Sequence, residues 1–186
     1  MIAGRPLLVC VFTAMCLTLA ASRSVGDSLL ANPGFESAGV NWGRYGNSEF
    51  ASWGKETGGF GAALQGWVLQ GAGGFFQSVK GQPDQPYTFS IRARKEPLFQ
   101  AMTVYMKLEF YGEDDATKIG HDQGFINLMP QLTDSWQKLT AGGVAPFGTV
   151  YVRVVFGFEG ASTGDLGSGQ QACLFDNAEL IAAESP

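Results

Sequence analysis

Apolar and polar residues alternate along three stretches of the chain. In 87–94 every second residue is apolar, and 104–111 and 150–158 follow the same pattern. A period of two over this length predicts a β-strand that buries one face and leaves the other in water. Four further segments have the composition of strands, namely 62–70, 74–79, 136–142 and 172–181.

Turn-forming residues separate these segments. Gly accounts for 26 of the 186 residues, about twice its usual share. Clusters of Gly, Pro and Asp, such as 81–84 and 112–115, lie between the strands. Many short strands joined by tight turns, with no helical period after residue 22, predict an all-β protein. We expect an antiparallel β-sandwich that forms a single domain over 27–183.

The first 22 residues have the layout of an export signal. Arg5 precedes an apolar run at 7–19, and Ala20, Ala21 and Ser22 are small residues of the kind that signal peptidase favours. The run is shorter than the roughly 20 residues of a membrane span. We therefore expect a signal peptide at 1–22, with an uncleaved anchor as the alternative. The mature chain would be secreted, extracellular or at the cell surface, or held in a periplasm.

The cysteine content indicates that the exported domain is not stabilised by a disulfide. Removal of 1–22 takes away Cys10 and Cys16 and leaves Cys173 as the only thiol, so an intrachain disulfide is excluded. An exported domain without a disulfide depends on core burial or on a bound metal ion for its stability.

The charge balance excludes one class of partner. Lys and Arg total 12 while Asp and Glu total 17, which gives a formal net charge of −5. Nucleic-acid-binding domains carry clustered positive charge, so we expect no nucleic-acid partner. We also expect a monomer without membrane contact beyond the export signal. The single His of the chain excludes a metal site built from several histidines.

The outward faces of the three alternating strands mix flat rings with long hydrogen-bonding side chains. These outward residues are Arg92, Arg94, Tyr105, Lys107, Glu109, Tyr111, Tyr151 and Arg153. Such a mixture suits a ligand that offers both apolar faces and hydroxyl groups. The alternative is an ordinary solvated strand face, because Tyr and Thr favour strands anyway.

Two motifs at the ends of the domain carry a resemblance to a known family. The predicted domain begins with LLANPGFE at 29–36 and ends with LFDNAEL at 174–180. Between these two motifs lie FQSV at 76–79 and WQKL at 136–139. This order resembles the carbohydrate-binding modules of the family 4/9 (CenC-like) type, within the galactose-binding-like jelly-roll group. The resemblance covers nearly the whole mature chain. It implies a jelly roll whose concave sheet binds a polysaccharide or oligosaccharide on its outer face.

The resemblance also assigns candidate ligand-binding residues. It implies that 87–94, 103–111 and 149–158 are neighbours in the concave sheet. The polar partners of a sugar would then be Arg92, Arg94, Glu109 and Arg153, and the stacking rings Tyr105 and Tyr151. Loop aromatics at the cleft edge would be Trp42, Tyr45 and Trp53, with capping of the core as their alternative role. We expect Trp67 and Trp136 to pack at the core or its rim.

Many modules of this type hold a structural calcium ion far from the cleft. Glu36 and Asp176 match the ligand-bearing motifs at the two ends of the domain. Carboxylates and carbonyl oxygens form the hard oxygen cage that Ca²⁺ prefers. The alternative role of both side chains is to accept hydrogen bonds from loop amides.

Catalytic patterns are poorly supported. The carboxylates at 113–115 are adjacent residues of one turn with no partner across a cleft, and His121 has no nucleophile motif beside it. We expect a non-catalytic carbohydrate-binding module. The alternatives are a structural or adhesion domain that contacts protein partners, and a jelly-roll glycoside hydrolase or lyase.

Overall fold

The computed structural model describes residues 27–67, 71–161 and 169–183, and the predicted signal peptide lies outside these ranges. The described residues form ten β-strands. In chain order they are β1 (Gly43–Gly46), β2 (Ser48–Ala51), β3 (Gly61–Gln65), β4 (Gly73–Lys80), β5 (Pro86–Lys95), β6 (Ala101–Tyr111), β7 (Gln123–Asn127), β8 (Gln137–Val144), β9 (Tyr151–Ala161) and β10 (Ala172–Ala182). Across the same ranges, no helix has the length and apolarity that a membrane span requires.

The strands build two five-stranded sheets. Sheet A has the order β1-β4-β9-β6-β7, and sheet B has the order β2-β3-β10-β5-β8. Every neighbouring pair is antiparallel. The prediction of an antiparallel β-sandwich is therefore confirmed. Each sheet buries one face against the other, which is why the long strands alternate between apolar and polar residues.

Phenylalanine rings dominate the core between the sheets. Phe156 of β9 lies near its centre, with its ring centroid 5.2 Å from that of Phe75 and 4.9 Å from that of Phe175. All three side chains are fully buried. Burial of each such ring stabilises the fold by roughly 1.5–3 kcal/mol. Phe76, which follows Phe75 on β4, faces away from this core, as the alternation of side chains along a strand requires.

One expectation about strand order was wrong. The strand at 87–94 does not neighbour the strands at 103–111 and 149–158. It forms β5, which pairs with β8 and β10 in sheet B, whereas β6 and β9 pair with each other in sheet A. The alternation of a strand reveals which residues face the core, but both sheets bury their inner faces equally. The pattern therefore carries no information on which sheet a strand joins.

Candidate functional site

Two tyrosines meet across the outer face of sheet A. Tyr45 lies on β1, rather than in a loop as expected, and the register places it in one row with Gly74, Gly157 and Tyr105. The two phenol oxygens are 2.5 Å apart and share a hydrogen bond. A Cβ atom at Gly74 would lie 2.5 Å from the Tyr45 Oη, and one at Gly157 would lie 2.8 Å from it. The two glycines thus leave the space that the rings occupy.

A third ring packs beside Tyr105 at the far edge of the sheet. Phe125 of β7 stacks on Tyr105, with centroids 5.6 Å apart and ring planes 26° apart. We call Tyr45, Tyr105 and Phe125 the aromatic platform. Its two ends are open to solvent, since Tyr45 is 37% and Phe125 is 55% exposed, while Tyr105 between them is only 6% exposed. Burial and the hydrogen bond with Tyr105 raise the pKa of Tyr45, so its phenol stays protonated at neutral pH.

Two polar side chains lie beside the platform. Asn127 lies opposite Tyr105 on β7, and Glu159 lies opposite Thr103 at the next outward position along the sheet. Both Asn127 and Glu159 are exposed. The Glu159 carboxylate is close enough for its charge to contribute to the raised pKa of Tyr45. Within the described ranges Glu159 forms no ion pair.

Four charged residues form a closed cluster next to the platform. The Nζ atoms of Lys107 and Lys118 each contact both Glu109 and Asp122, at distances between 2.5 and 2.9 Å. Tyr111 donates a further hydrogen bond to Glu109 at 2.7 Å. Burial alone would raise the pKa of Glu109 and of Asp122, but the lysine hydrogen bonds outweigh it and hold both below their ordinary values. Glu109, a predicted sugar partner, is 7% exposed and is committed to this cluster.

The acidic turn at 113–115 covers the other end of the outer face of sheet A. The Arg153 guanidinium lies 4.0 Å from the centre of the Tyr111 ring, donates to Ser78 Oγ at 2.8 Å and donates to the Asp115 carbonyl at 3.0 Å. Arg153 is therefore held between the sheet and the turn. Tyr151 stays partly exposed, and the Nζ atom of Lys80 donates to its phenol at 2.6 Å.

Arg92 and Arg94 lie on the outer face of sheet B, since β5 belongs to that sheet. They are therefore on the opposite side of the sandwich from Tyr105 and Tyr151, which corrects their expected grouping. Arg92 donates from Nε to Glu56 at 2.8 Å and forms an ion pair with it. The Arg94 guanidinium lies 5.6 Å from the centre of the Trp136 ring.

The two predicted tryptophan contacts also separate. Trp42 is 7% exposed and belongs to the core, where its ring packs 5.0 Å from Phe35 and its indole nitrogen donates to the Asn32 carbonyl at 3.0 Å. The structure therefore places Trp42 within the main core. Trp53 is 48% exposed and lies 6.3 Å from Trp67, on the side of sheet B.

Glu36 and Asp176 converge on one turn. Asp176 Oδ2 accepts hydrogen bonds from the backbone amides of Glu56 and Thr57 at 2.8 and 3.0 Å, and Glu36 accepts one from the amide of Gly59. Burial raises the pKa of Asp176, and the nearby charge of Glu36 adds to the rise. Neither carboxylate forms an ion pair with any described residue.

Sequence reasoning missed Phe125, Asn127 and Glu159. Phe125 and Asn127 lie on β7, which spans only five residues and begins just after the polar segment around His121. Around Phe125 the sequence offers only the short segment Gly124-Phe125-Ile126. This segment is too short to predict which face of a strand the Phe125 side chain lies on. Glu159 continues the outward positions of β9 beyond the predicted end of that strand at 158.

Comparisons with known proteins identify the fold. No protein-family model matches the sequence, and no curated protein matches it either. Among solved structures, the chain is similar to the enzymatically active domain of tailspike protein 4 from bacteriophage CBA120. The TM-score is 0.63 at 10% identity, over 84% of this chain. The chain spans only 21% of that tailspike domain.

Two further structures match over their whole length. The CBM22-1 xylan-binding domain of Xyn10C from Paenibacillus barcinonensis has a TM-score of 0.56 at 14% identity, over 89% of this chain and 100% of that one. The carbohydrate-binding module TmCBM61, solved in complex with β-1,4-galactotriose, has a TM-score of 0.53 at 14% identity, over 84% and 99%. At these identities the likeness shows the fold: this chain has the β-sandwich architecture of carbohydrate-binding modules. Its place in family 4/9 stays a prediction.

Proposed function

We propose that this protein is a secreted, non-catalytic carbohydrate-binding module that binds a polysaccharide or oligosaccharide on the outer face of sheet A. The observation that carries the proposal is the aromatic platform, which crosses the sheet from β1 to β7 and exposes a ring at each end. The fold neighbours support it, because one is a xylan-binding domain and another was solved with a galactotriose. The motifs at 29–36 and 174–180 support membership of family 4/9.

The platform has the two properties that sugar recognition requires. Tyr45 and Phe125 offer flat apolar surfaces on which the C–H face of a pyranose ring stacks. Asn127 and Glu159 offer an amide and a carboxylate beside those rings, which suits hydroxyl groups of defined stereochemistry. The glycan would lie across the strands, parallel to the row of rings. Of the residues proposed from the sequence, Tyr45 and Tyr105 belong to this surface directly.

The charged cluster does not supply the acid that glycoside hydrolysis requires. Glycoside hydrolysis needs one carboxyl group that keeps its proton and donates it to the leaving oxygen. Lys107 and Lys118 hold the pKa values of Glu109 and Asp122 below their ordinary range, against the effect of burial. Both carboxylates are therefore ionised at neutral pH and neither can serve as that acid. We assign no catalytic residue to this face.

The proposal is tested by affinity electrophoresis of the purified protein in gels that contain xylan, β-1,4-galactan or soluble β-glucan. We expect at least one glycan to retard the native protein. Phe125→Ala removes one exposed ring and should weaken that binding about tenfold, or about 1.4 kcal/mol. The matched control is Phe147→Ala, because Phe147 is 87% exposed on a loop and makes no ring contact with the described residues. Retardation by no glycan would reject the proposal and favour the structural or adhesion role.

We also propose that the junction of the chain ends binds one structural Ca²⁺. The side chains that meet there fit this ion, because the donors are oxygens: the Glu36 and Asp176 carboxylates and Asn177 Oδ1. The Oε1 of Glu36 and the Oδ1 of Asn177 lie 3.5 and 3.6 Å from the Cβ position of Gly34. A Cβ at Gly58 would lie 1.7 Å from Glu36 Oε1, so only Gly leaves this space open. Glu36 and Asp176 would hold the ion, which would supply positive charge between two carboxylates that have no cationic partner among the described residues.

A further inference from the structure

A second aromatic surface lies on the outer face of sheet B. Three small or aliphatic residues, Ala63, Ala172 and Leu174, are fully buried there and are separate from the main core. The side chains that cover them are Trp67 and Trp136, both half-buried. The strand neighbours of these residues, such as Ala62 and Cys173, pack in the main core. Because side chains alternate along a strand, Ala63, Ala172 and Leu174 therefore face outward from the sandwich.

Trp53 completes this surface. The turn that contains it lies over the same face, because the Cβ position of Gly54 is 3.5 Å from both Ala63 and Leu174. The ring of Trp53 is 6.3 Å from that of Trp67, at an angle of 44°. Trp53 keeps 48% of its surface exposed. We call Trp53, Trp67 and Trp136 the tryptophan surface.

Two unpaired charged groups flank the tryptophan surface in one cross-strand row. The register runs from Glu49 on β2 through Ala63 and Leu174 to Arg94 on β5. Among the described residues, neither the Arg94 guanidinium nor the Glu49 carboxylate forms an ion pair or a hydrogen bond, and the guanidinium lies 5.6 Å from the centre of the Trp136 ring. This differs from the outer face of sheet A, where Lys107 and Glu109 are bound to each other. Within the described part of the chain, the row thus holds unpaired donors at the Arg94 end and an unpaired acceptor at the Glu49 end.

We infer that the tryptophan surface is a second saccharide-binding site, on the side of the sandwich opposite the aromatic platform. The inference rests on the proposed function and extends it, since it makes the protein bivalent for glycan. Pyranose C–H faces stack on Trp53 and its neighbours, while hydroxyl groups accept from the Arg94 guanidinium and donate to the Glu49 carboxylate. A purely apolar partner would bury these two unpaired charges at a cost, whereas a sugar satisfies them.

The inference is tested by isothermal titration with xylohexaose and with β-1,4-galactohexaose, together with turbidity of the protein mixed with xylan or β-1,4-galactan. We expect two oligosaccharides bound per chain, and turbidity with the long glycan because a bivalent protein cross-links it. Trp53→Ala should halve the stoichiometry and abolish the turbidity. Arg94→Gln, which keeps all three rings, should weaken the second site about tenfold. Phe147→Ala is the matched control and should change neither readout.

The outcomes separate this inference from the function on which it rests. If Trp53→Ala and Arg94→Gln bind as the native protein does while Phe125→Ala loses binding, the second site is rejected and the sheet A site stands. If Trp53→Ala alone removes all binding, the tryptophan surface is the sole site and the proposed location on sheet A fails. If neither glycan binds the native protein, the proposed function fails for both glycans and this inference falls with it. A melting temperature measured for each variant distinguishes loss of a contact from loss of folding.

Discussion

The phenol oxygens of Tyr45 and Tyr105 lie 2.5 Å apart although 60 residues separate them in the chain. Their meeting point lies above the backbone of β4 and β9, where the row positions are Gly74 and Gly157. The contact thus joins an edge strand to an interior strand across two strands that have no side chain at that level. The exposed ring surface of sheet A depends on this arrangement.

Gly74→Ala should disrupt the platform. Its Cβ would lie 2.5 Å from the Tyr45 phenol and 2.6 Å from the Phe156 carbonyl, so the ring and the local backbone must shift. Such overpacking costs about 1–3 kcal/mol, which urea denaturation would measure. Gly142→Ala is the matched control, because its Cβ would lie 3.6 Å from the Tyr87 carbonyl oxygen, an ordinary contact distance. Equal stability of the two variants would contradict the packing described for Tyr45.

Trp42 and Trp53 should respond oppositely to truncation. Trp42→Ala leaves a cavity beside Phe35 and Phe156 and removes the hydrogen bond to Asn32, so it should lower the free energy of unfolding by about 3–5 kcal/mol. Trp53→Ala removes a half-exposed ring and should cost less than about 1 kcal/mol. Denaturant titration followed by circular dichroism measures both. A larger loss for Trp53→Ala would show that the core assignment of Trp42 is wrong.

The stability of the charged cluster should depend on pH. Burial opposes the effect, but hydrogen bonds from Lys107 and Lys118 hold the folded-state pKa of Glu109 below the ordinary value of 4.5. A group whose pKa is lowered by folding contributes stability above its unfolded pKa, and this contribution disappears as the pH falls through its folded pKa. The stability difference between the native protein and Glu109→Gln should therefore be largest at neutral pH, where about 1.5–3 kcal/mol is expected for hydrogen bonds to a charged group.

The same difference should shrink steadily below pH 4.5. The control is Glu113→Gln, which removes an exposed carboxylate from the nearby turn and should give a small difference at every pH. A Glu109→Gln difference that stays constant from neutral to acidic pH would contradict the ionised state of the cluster.

Removal of calcium should lower the melting temperature if the proposed ion is bound. At a free concentration a hundredfold above its dissociation constant, a ligand specific to the folded state stabilises it by about 2.7 kcal/mol, which corresponds to a shift on the order of 5–10 °C. Chelation should remove this shift and added Ca²⁺ should restore it, while Asp176→Asn should melt alike in both conditions. An unchanged melt of the native protein would leave Glu36 and Asp176 with their loop amides as the only partners.

Local patterns were sufficient to predict most of the fold. The alternation in 87–94 and 104–111 correctly separated core-facing from outward-facing residues, because the period of a strand is a local property. Cys173 lies in the core, and burial raises the pKa of its thiol, so it is a weak nucleophile.

The candidate site was less accessible from the sequence, because it depends on contacts between distant segments. Tyr105 and Glu109 do face outward, yet Phe125 and the Lys118 region cover them from other parts of the chain. Arg94 and Arg153 both occupy outward positions of an alternating strand in the sequence. The pairing of β5 with β10 nevertheless places Arg94 on the outer face of sheet B, on the opposite side of the sandwich from Arg153. The signal for Tyr45 was misleading for another reason: β1 is a four-residue strand, too short for an alternation to appear.

The gap in side chains at Gly74 and Gly157 has a practical consequence for engineering. Transplanting the tyrosine pair into another sandwich would require four positions rather than two, since both rings occupy volume that any larger residue beneath them would fill. Substitution libraries that vary only the aromatic residues would keep the recipient's own side chains at the positions equivalent to Gly74 and Gly157. Those side chains would clash with the grafted rings, so the variants would be destabilised whether or not they bind a glycan.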